Sequence, residues 1–213
     1  MQNLPTDYEH DVFISYKRSY LIHSWLTRFF LPHFEGWLEE ELLKLHEPHH
    51  VAAKEIVPSD ALQTEVNVRI FFDNRIIEPG DDWPSELTRA VKGSKTLVAI
   101  CSPSYFHSRW CRSEWQSFLD RQSLLGIYGL MIPVRYHDSE PFLAGMSWSD
   151  FSDYTFQASD FYQSAQAVRF EQLIKDLARV VAQAISGAPT FNPQWPAPTV
   201  QRTNPISPRM ERM

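Results

Sequence analysis

In the run Trp110-Cys-Arg-Ser-Glu114-Trp-Gln-Ser-Phe118-Leu, one acid stands among apolar residues. With Trp110 at 0° and about 100° per helical residue, Glu114 falls at about 40°, Phe118 at about 80° and Cys111 at about 100°. Trp115 and Leu119 continue the same face, while Arg112 and Ser113 point the other way. Glu114 thus lies within the apolar face. Desolvating a carboxylate without a partner costs several kcal/mol. Glu114 therefore either pairs with an Arg or Lys and fixes its helix, or is held for chemistry on a ligand. Trp110, one turn before it, is core or rim packing on residue type alone.

Lys17 and Arg18 follow the apolar run Asp11-Val-Phe-Ile-Ser-Tyr16, where a helix is expected to begin near Ser19. Backbone N–H groups and two cations there suit a phosphate or pyrophosphate, although an adjacent basic pair is by default a solvated loop. Trp83, ahead of Pro84, could cover a bound base or dock onto another subunit. His46, His49 and His50 lack a second ordered ligand set, so no metal is expected. Cys101 and Cys111 read as core thiols, and Ser102 and Ser104 as helix caps.

These residues must be positioned by a chain of 213 residues, 43% hydrophobic, with formal net charge −6. That hydrophobic content rules out wholesale disorder, and 26 acids against 20 Lys and Arg argue against nucleic acid binding over the whole surface. No run approaches the roughly 18 apolar residues of a membrane span, and no secretory signal opens the chain. With only two cysteines a disulfide framework is excluded, and a reducing, cytoplasmic location is expected. Neither G-x-G-x-x-G nor G-x-x-x-x-G-K-[ST] occurs.

Apolar runs 11–16, 68–73, 96–101 and 129–134 read as strands, and a fifth strand is expected near Tyr154–Phe156. Helical spacing covers 20–45, with Pro32 and Gly36 expected to interrupt it, and then the stretches from Pro84, from Ser104 to Gln122 and from Gln163 to Ile185. Alternating strands and helices imply an open parallel sheet with helices on both faces, and ligands at the carboxyl ends of its strands. Residues 46–66 are irregular. From Ala188 on, the spacing of Pro189, Pro193, Pro196, Pro198, Pro205 and Pro208 reads as a flexible tail, 188–213, that Phe191 and Trp195 could pin.

Four motifs, D-V-F-I-S-Y-K-R (11–18), F-F-D-N-R-I-I-E-P-G-D (71–81), V-A-I-C-S-P-S-Y (98–105) and W-C-R-S-E (110–114), occur in an order and spacing that resembles Toll/interleukin receptor (TIR) domains. The resemblance covers about residues 8–185 and implies a flavodoxin-like α/β fold, a three-layer sandwich around a mostly parallel five-stranded sheet, with 1–187 as the domain and 46–66 as an insertion. It implies NAD⁺ as substrate rather than a resident cofactor, with cleavage at the nicotinamide–ribose bond to ADP-ribose or a cyclic isomer. Glu114 matches the catalytic glutamate and Trp110 the aromatic before it. Tyr16 and Lys17 fall where the family lines the nucleotide pocket, and Ile76–Trp83 matches the segment that gates it and mediates association. The resemblance further implies homotypic self-association and a place in prokaryotic immune signalling. The alternative within the family is a non-catalytic assembly domain acting through TIR–TIR contacts.

Overall fold

A computed structural model describes residues 7–46, 67–73, 83–139, 142–155 and 161–198. Its strands are β1 (His10–Tyr16), β2 (Ile70–Phe72), β3 (Ser94–Cys101), β4 (Met131–Arg135) and β5 (Ser149–Asp150). They form one parallel sheet of order β2-β1-β3-β4-β5. On one face the helices α1 (Tyr20–Trp25) and α2 (Leu31–His46) pack with α6 (Ala165–Ser186). On the other lie α3 (Trp83–Lys92), α4 (Pro103–His107) and α5 (Arg109–Leu125). This strand order reverses direction between β1 and β3, which is where such sheets leave a crevice at their carboxyl edge.

Both faces of β1 and β3 are covered, so each reads as a nearly unbroken apolar run. The two-residue period then sorts their side chains. Val12, Ile14 and Tyr16 pack with Val98 and Ile100 beneath α6, and Phe13 packs with Leu97, Ala99 and Cys101 toward α3–α5. Ser15 pairs in register with Ala99 and therefore shares the α5 side.

The expected interruption of the first helix takes another form. The chain stays helical from α1 through a π-helical stretch, Leu26–Phe30, into α2. Pro32 has no N–H and its ring clashes with the carbonyl four residues back, and the wider turn beside it, with Leu31 N–H donating to Leu26 O, absorbs the misfit. Gly36 causes no break.

The third crossover, expected as one helix, is two. Ser108 is extended (φ −80°, ψ 124°) and its Oγ accepts from Cys111 N, while Ser102 caps α4 by accepting from Tyr105 N. The fifth strand also lies earlier than expected. It is Ser149–Asp150, and the Asp150 carboxylate ends it by accepting from Ser152 N at 3.0 Å and Ser152 Oγ at 2.8 Å, which turns 152–154 into a 3₁₀ helix. The stretch expected as an insertion lies outside the described residues from 47 to 66.

In the proline-rich segment Phe191 meets Tyr8 edge-on at 5.3 Å, and Trp195, 5% exposed, covers the Arg121 guanidinium at 5.1 Å. Residues 199–213 lie outside the description. Arg121 itself is fully buried, donates to Ser94 O at 2.7 Å and Val91 O at 3.1 Å, and lies over Phe118 at 4.3 Å. Burial pushes its pKa down to about 10. It ties α5 to the α3–β3 junction. Arg121→Ala would strand two buried carbonyls and uncover two rings, so the expected loss is about 3 kcal/mol, read as a lower urea midpoint with an unchanged slope.

Candidate functional site

At the carboxyl edge, where β1 ends and α5 begins, a cavity of about 280 Å³ opens among Ser15, Tyr16, Lys17, Arg18, Asp73, Trp110, Cys111 and Glu114. A larger cavity, about 790 Å³, lies around the other end of α5 and the start of β4, and no Asp, Glu, Lys, Arg or His lines it among the described residues. Size favours the second, but chemistry favours the first, which gathers an acid, two cations and a second acid within one crevice.

Glu114 is 5% exposed and lines this cavity. The helical period that sets it on the apolar face of α5 brings it against β1, where Ser15 Oγ donates to its Oε2 at 2.5 Å. Ser15 Oγ is also 2.8 Å from the Tyr105 hydroxyl, which lies 3.3 Å from the Cys111 carbonyl oxygen. Among the described residues no Arg or Lys pairs with Glu114, so the ion-pair alternative finds no partner. Burial pushes the Glu114 pKa up to about 7, with the Ser15 hydrogen bond pulling it back and the Asp73 charge adding to the rise.

Arg18 pairs instead with Asp73 at the end of β2. Tyr16 donates to the Asp73 carbonyl at 2.8 Å and stacks on Phe72 at 5.3 Å, and burial raises its pKa to about 12, so it stays neutral. Lys17 is exposed at the rim, and Trp110 forms a half-buried wall. Cys111 is buried on the same wall, its thiol pushed up to about 12 mainly by burial, and Cys101 is raised as far for the same reason. Neither is an activated nucleophile.

Tyr16, Lys17, Arg18, Trp110 and Glu114, expected from the sequence, thus meet in one crevice. Trp83 is the first residue of α3, and its side chain, like the loop 74–82, lies outside the described residues. His49 and His50 do as well, and among the described residues no group of three His, Cys, Asp or Glu could hold a metal ion. No described helix is long and apolar enough to cross a membrane. Sequence reasoning missed Ser15, Asp73 and Tyr105. For Ser15 a signal existed, since a hydroxyl in an otherwise apolar buried strand needs a partner.

Residues 52–166 match the TIR domain family. The chain belongs to it. The match begins within the stretch expected to be an insertion, so 52–66 fall inside the matched span. This TIR domain is 26% identical over 127 residues to the probable 2′ cyclic ADP-D-ribose synthase BdTIR of Brachypodium distachyon, covering 56% of this chain and 54% of the relative. It is 34% identical over 70 residues to disease resistance protein RPV1 of Vitis rotundifolia, covering 33% of this chain and 5% of the relative. The chain therefore spans about half, or far less, of the relatives it matches. Among solved structures, the TIR domain of Toll-related receptor TRR-2 from Hydra magnipapillata aligns at 17% identity, covering 77% of this chain and 98% of that one, with TM-score 0.40.

Holding Glu114 in this environment has a thermodynamic signature. Its folded pKa, about 7, lies above the unfolded carboxylate value, so the folded state binds the extra proton between the two. Stability from this group is therefore fully present below about pH 4.5 and lost as pH rises through 7, on the order of 3 kcal/mol in all. Glu114→Gln removes that dependence. The variant is expected to be more stable than the wild type at pH 8, with the difference shrinking toward pH 5, as read by denaturant unfolding at both.

Proposed function

We propose that this TIR domain cleaves NAD⁺ at the nicotinamide–ribose bond, with Glu114 as the catalytic carboxylate. The observation that carries the reading is a buried acid facing a cavity with no cation paired to it among the described residues. Support comes also from the relative named as a probable cyclic ADP-ribose synthase.

In NAD⁺ the nicotinamide is cationic, so when the C–N bond breaks the electron pair leaves with it and the leaving group departs neutral, without a proton. The demand falls on the ribose, where positive charge develops at C1 and the ring oxygen. An ionised Glu114 beside that ring stabilises the charge more in the transition state than in the ground state, and it accepts hydrogen bonds from the ribose hydroxyls. A cationic ligand in the cavity also lowers the Glu114 pKa and favours the ionised form. Water, adding to C1 and releasing its proton, gives ADP-ribose, while a nucleophile of the same molecule gives a cyclic isomer.

The cavity, about 280 Å³, sits below the usual range for a whole drug-sized ligand, so it fits the nicotinamide riboside end. The pyrophosphate then runs outward over the rim, where Lys17 is exposed and Arg18, held by Asp73, adds charge. Trp110 offers a flat wall for a ring. Self-association through TIR–TIR contacts and a role in immune signalling, prokaryotic in setting, complete the reading.

Nicotinamide release from NAD⁺, measured by chromatography across a wide range of protein concentration, tests it. Glu114→Gln is expected to lower release about 10²- to 10³-fold. Lys17→Ala is expected to raise KM several-fold with little change in kcat, because a rim contact serves both states alike. Equal release by wild type and Glu114→Gln removes Glu114 from the mechanism, and silence at every concentration leaves the assembly role.

A further inference from the structure

Ser15, which lines the cavity beside Glu114, and Tyr105 sit on different elements, β1 and α4. Ser15 is 1% exposed and Tyr105 fully buried. The Ser108 break turns the chain between α4 and α5, so Tyr105 and Glu114 come to one hydroxyl from two helices.

A hydroxyl carries one proton and a carbonyl none to give. Ser15 spends its proton on Glu114 Oε2, so its oxygen is open to donation from Tyr105, 2.8 Å away. Two arrangements satisfy the row. With Glu114 ionised, Tyr105 donates to Ser15 and Ser15 donates to Glu114. With Glu114 protonated, the acid donates to Ser15, Ser15 to Tyr105, and Tyr105 to the Cys111 carbonyl at 3.3 Å. One proton gained at the carboxyl reverses the Glu114–Ser15 and Ser15–Tyr105 bonds and turns the Tyr105 proton to the Cys111 carbonyl, and no second proton moves in or out.

We propose that Tyr105 and Ser15 are positioning residues, a row of hydroxyls that fixes Glu114 through Oε2, leaves Oε1 for the cavity and favours the ionised carboxylate by donating in sequence. The purpose of the row rests on the NAD⁺-cleaving reading; its existence does not. Neutral donors suit this task because they stabilise the anion without cancelling the charge that a developing sugar cation needs.

Other groups face Glu114 as well: Tyr16, Lys17 and Arg18 from the end of β1, Asp73 from the end of β2, Tyr105 from α4 and Cys111 from α5. Tyr16 and Cys111 are pushed up to about 12, and Tyr105 is raised too, so these three stay neutral from about pH 5 to 9.

The test is a ¹³C NMR titration of the glutamate side-chain carboxyls, with the Glu114 resonance assigned by its loss in Glu114→Gln. Ser15→Ala is expected to raise the Glu114 midpoint by about one pH unit, and Tyr105→Phe, which keeps the ring, by a smaller step in the same direction. The double variant is expected to match Ser15→Ala alone, because Tyr105 acts through Ser15. Ser15→Thr is expected to restore the wild-type midpoint. A midpoint unmoved by Tyr105→Phe, or steps that add in the double variant, overturns the row. Thermal unfolding checks each fold, and if Ser15→Ala fails to fold, Tyr105→Phe decides alone. Should the wild type release no nicotinamide, the enzymatic reading falls while the titration still decides the row. Where release is seen, its acid limb is expected to move to higher pH with the NMR midpoint.

Discussion

A carboxylate removed from water must either neutralise itself, pair with a cation or gather neutral donors. Glu114 combines the first and the third: burial pushes its pKa up to about 7, and it accepts from the Ser15 hydroxyl. The contact joins β1 to the helix that crosses it, so the position of the acid depends on two unrelated periodicities agreeing. A period of two along β1 turns Ser15 toward α5, and a period near 3.6 along α5 turns Glu114 toward β1. A one-residue slip in the strand would send Ser15 to the α6 side and leave Glu114 buried without a donor.

The far end of α5 protects that agreement. Arg121 lies seven residues beyond Glu114, two helical turns along the same stripe. Its bonds to Ser94 O and Val91 O, with the Gln122 carboxamide oxygen accepting from Leu130 N and Met131 N, fix the helix to the amino ends of β3 and β4. Trp195 closes over Arg121 from the outside. The proline-rich segment thus contributes to the rigidity of the helix that carries the acid, at the opposite end from the cavity.

The layer order and the acid were legible because each rests on a pattern within one element. Continuous apolar runs gave β1 and β3, and a single wheel gave Glu114 its face. What was not legible depends on contacts between elements or on one local capping event. Ser108 looks like any helical serine until its side chain caps α5, and only then does Tyr105 swing into the core. Asp150 ended β5 early by a side-chain bond that the strand's own pattern does not announce. Pro32 signals a disturbance in α1–α2, but the local pattern does not say whether the helix breaks or widens. Trp83 remains an expectation from the sequence, since its side chain and the loop before it lie outside the described residues.

The pairing of Arg18 with Asp73 bears on the acid as much as any direct contact. Two acids and a guanidinium share the crevice, and the guanidinium goes to the acid at the end of β2. Had it gone to Glu114, the carboxylate would titrate low, and its charge would be spent before any ligand arrived. With Arg18 engaged elsewhere, Asp73 acts on Glu114 in the opposite sense, as a nearby negative charge that raises its pKa. The same pair holds the cation at the mouth, over the route proposed for a pyrophosphate, while the interior keeps a net preference for positive charge. Separation of sign along the crevice, cations outside and within it an acid to which no described cation is paired, is the arrangement a molecule with an anionic middle and a cationic ring would fit end first.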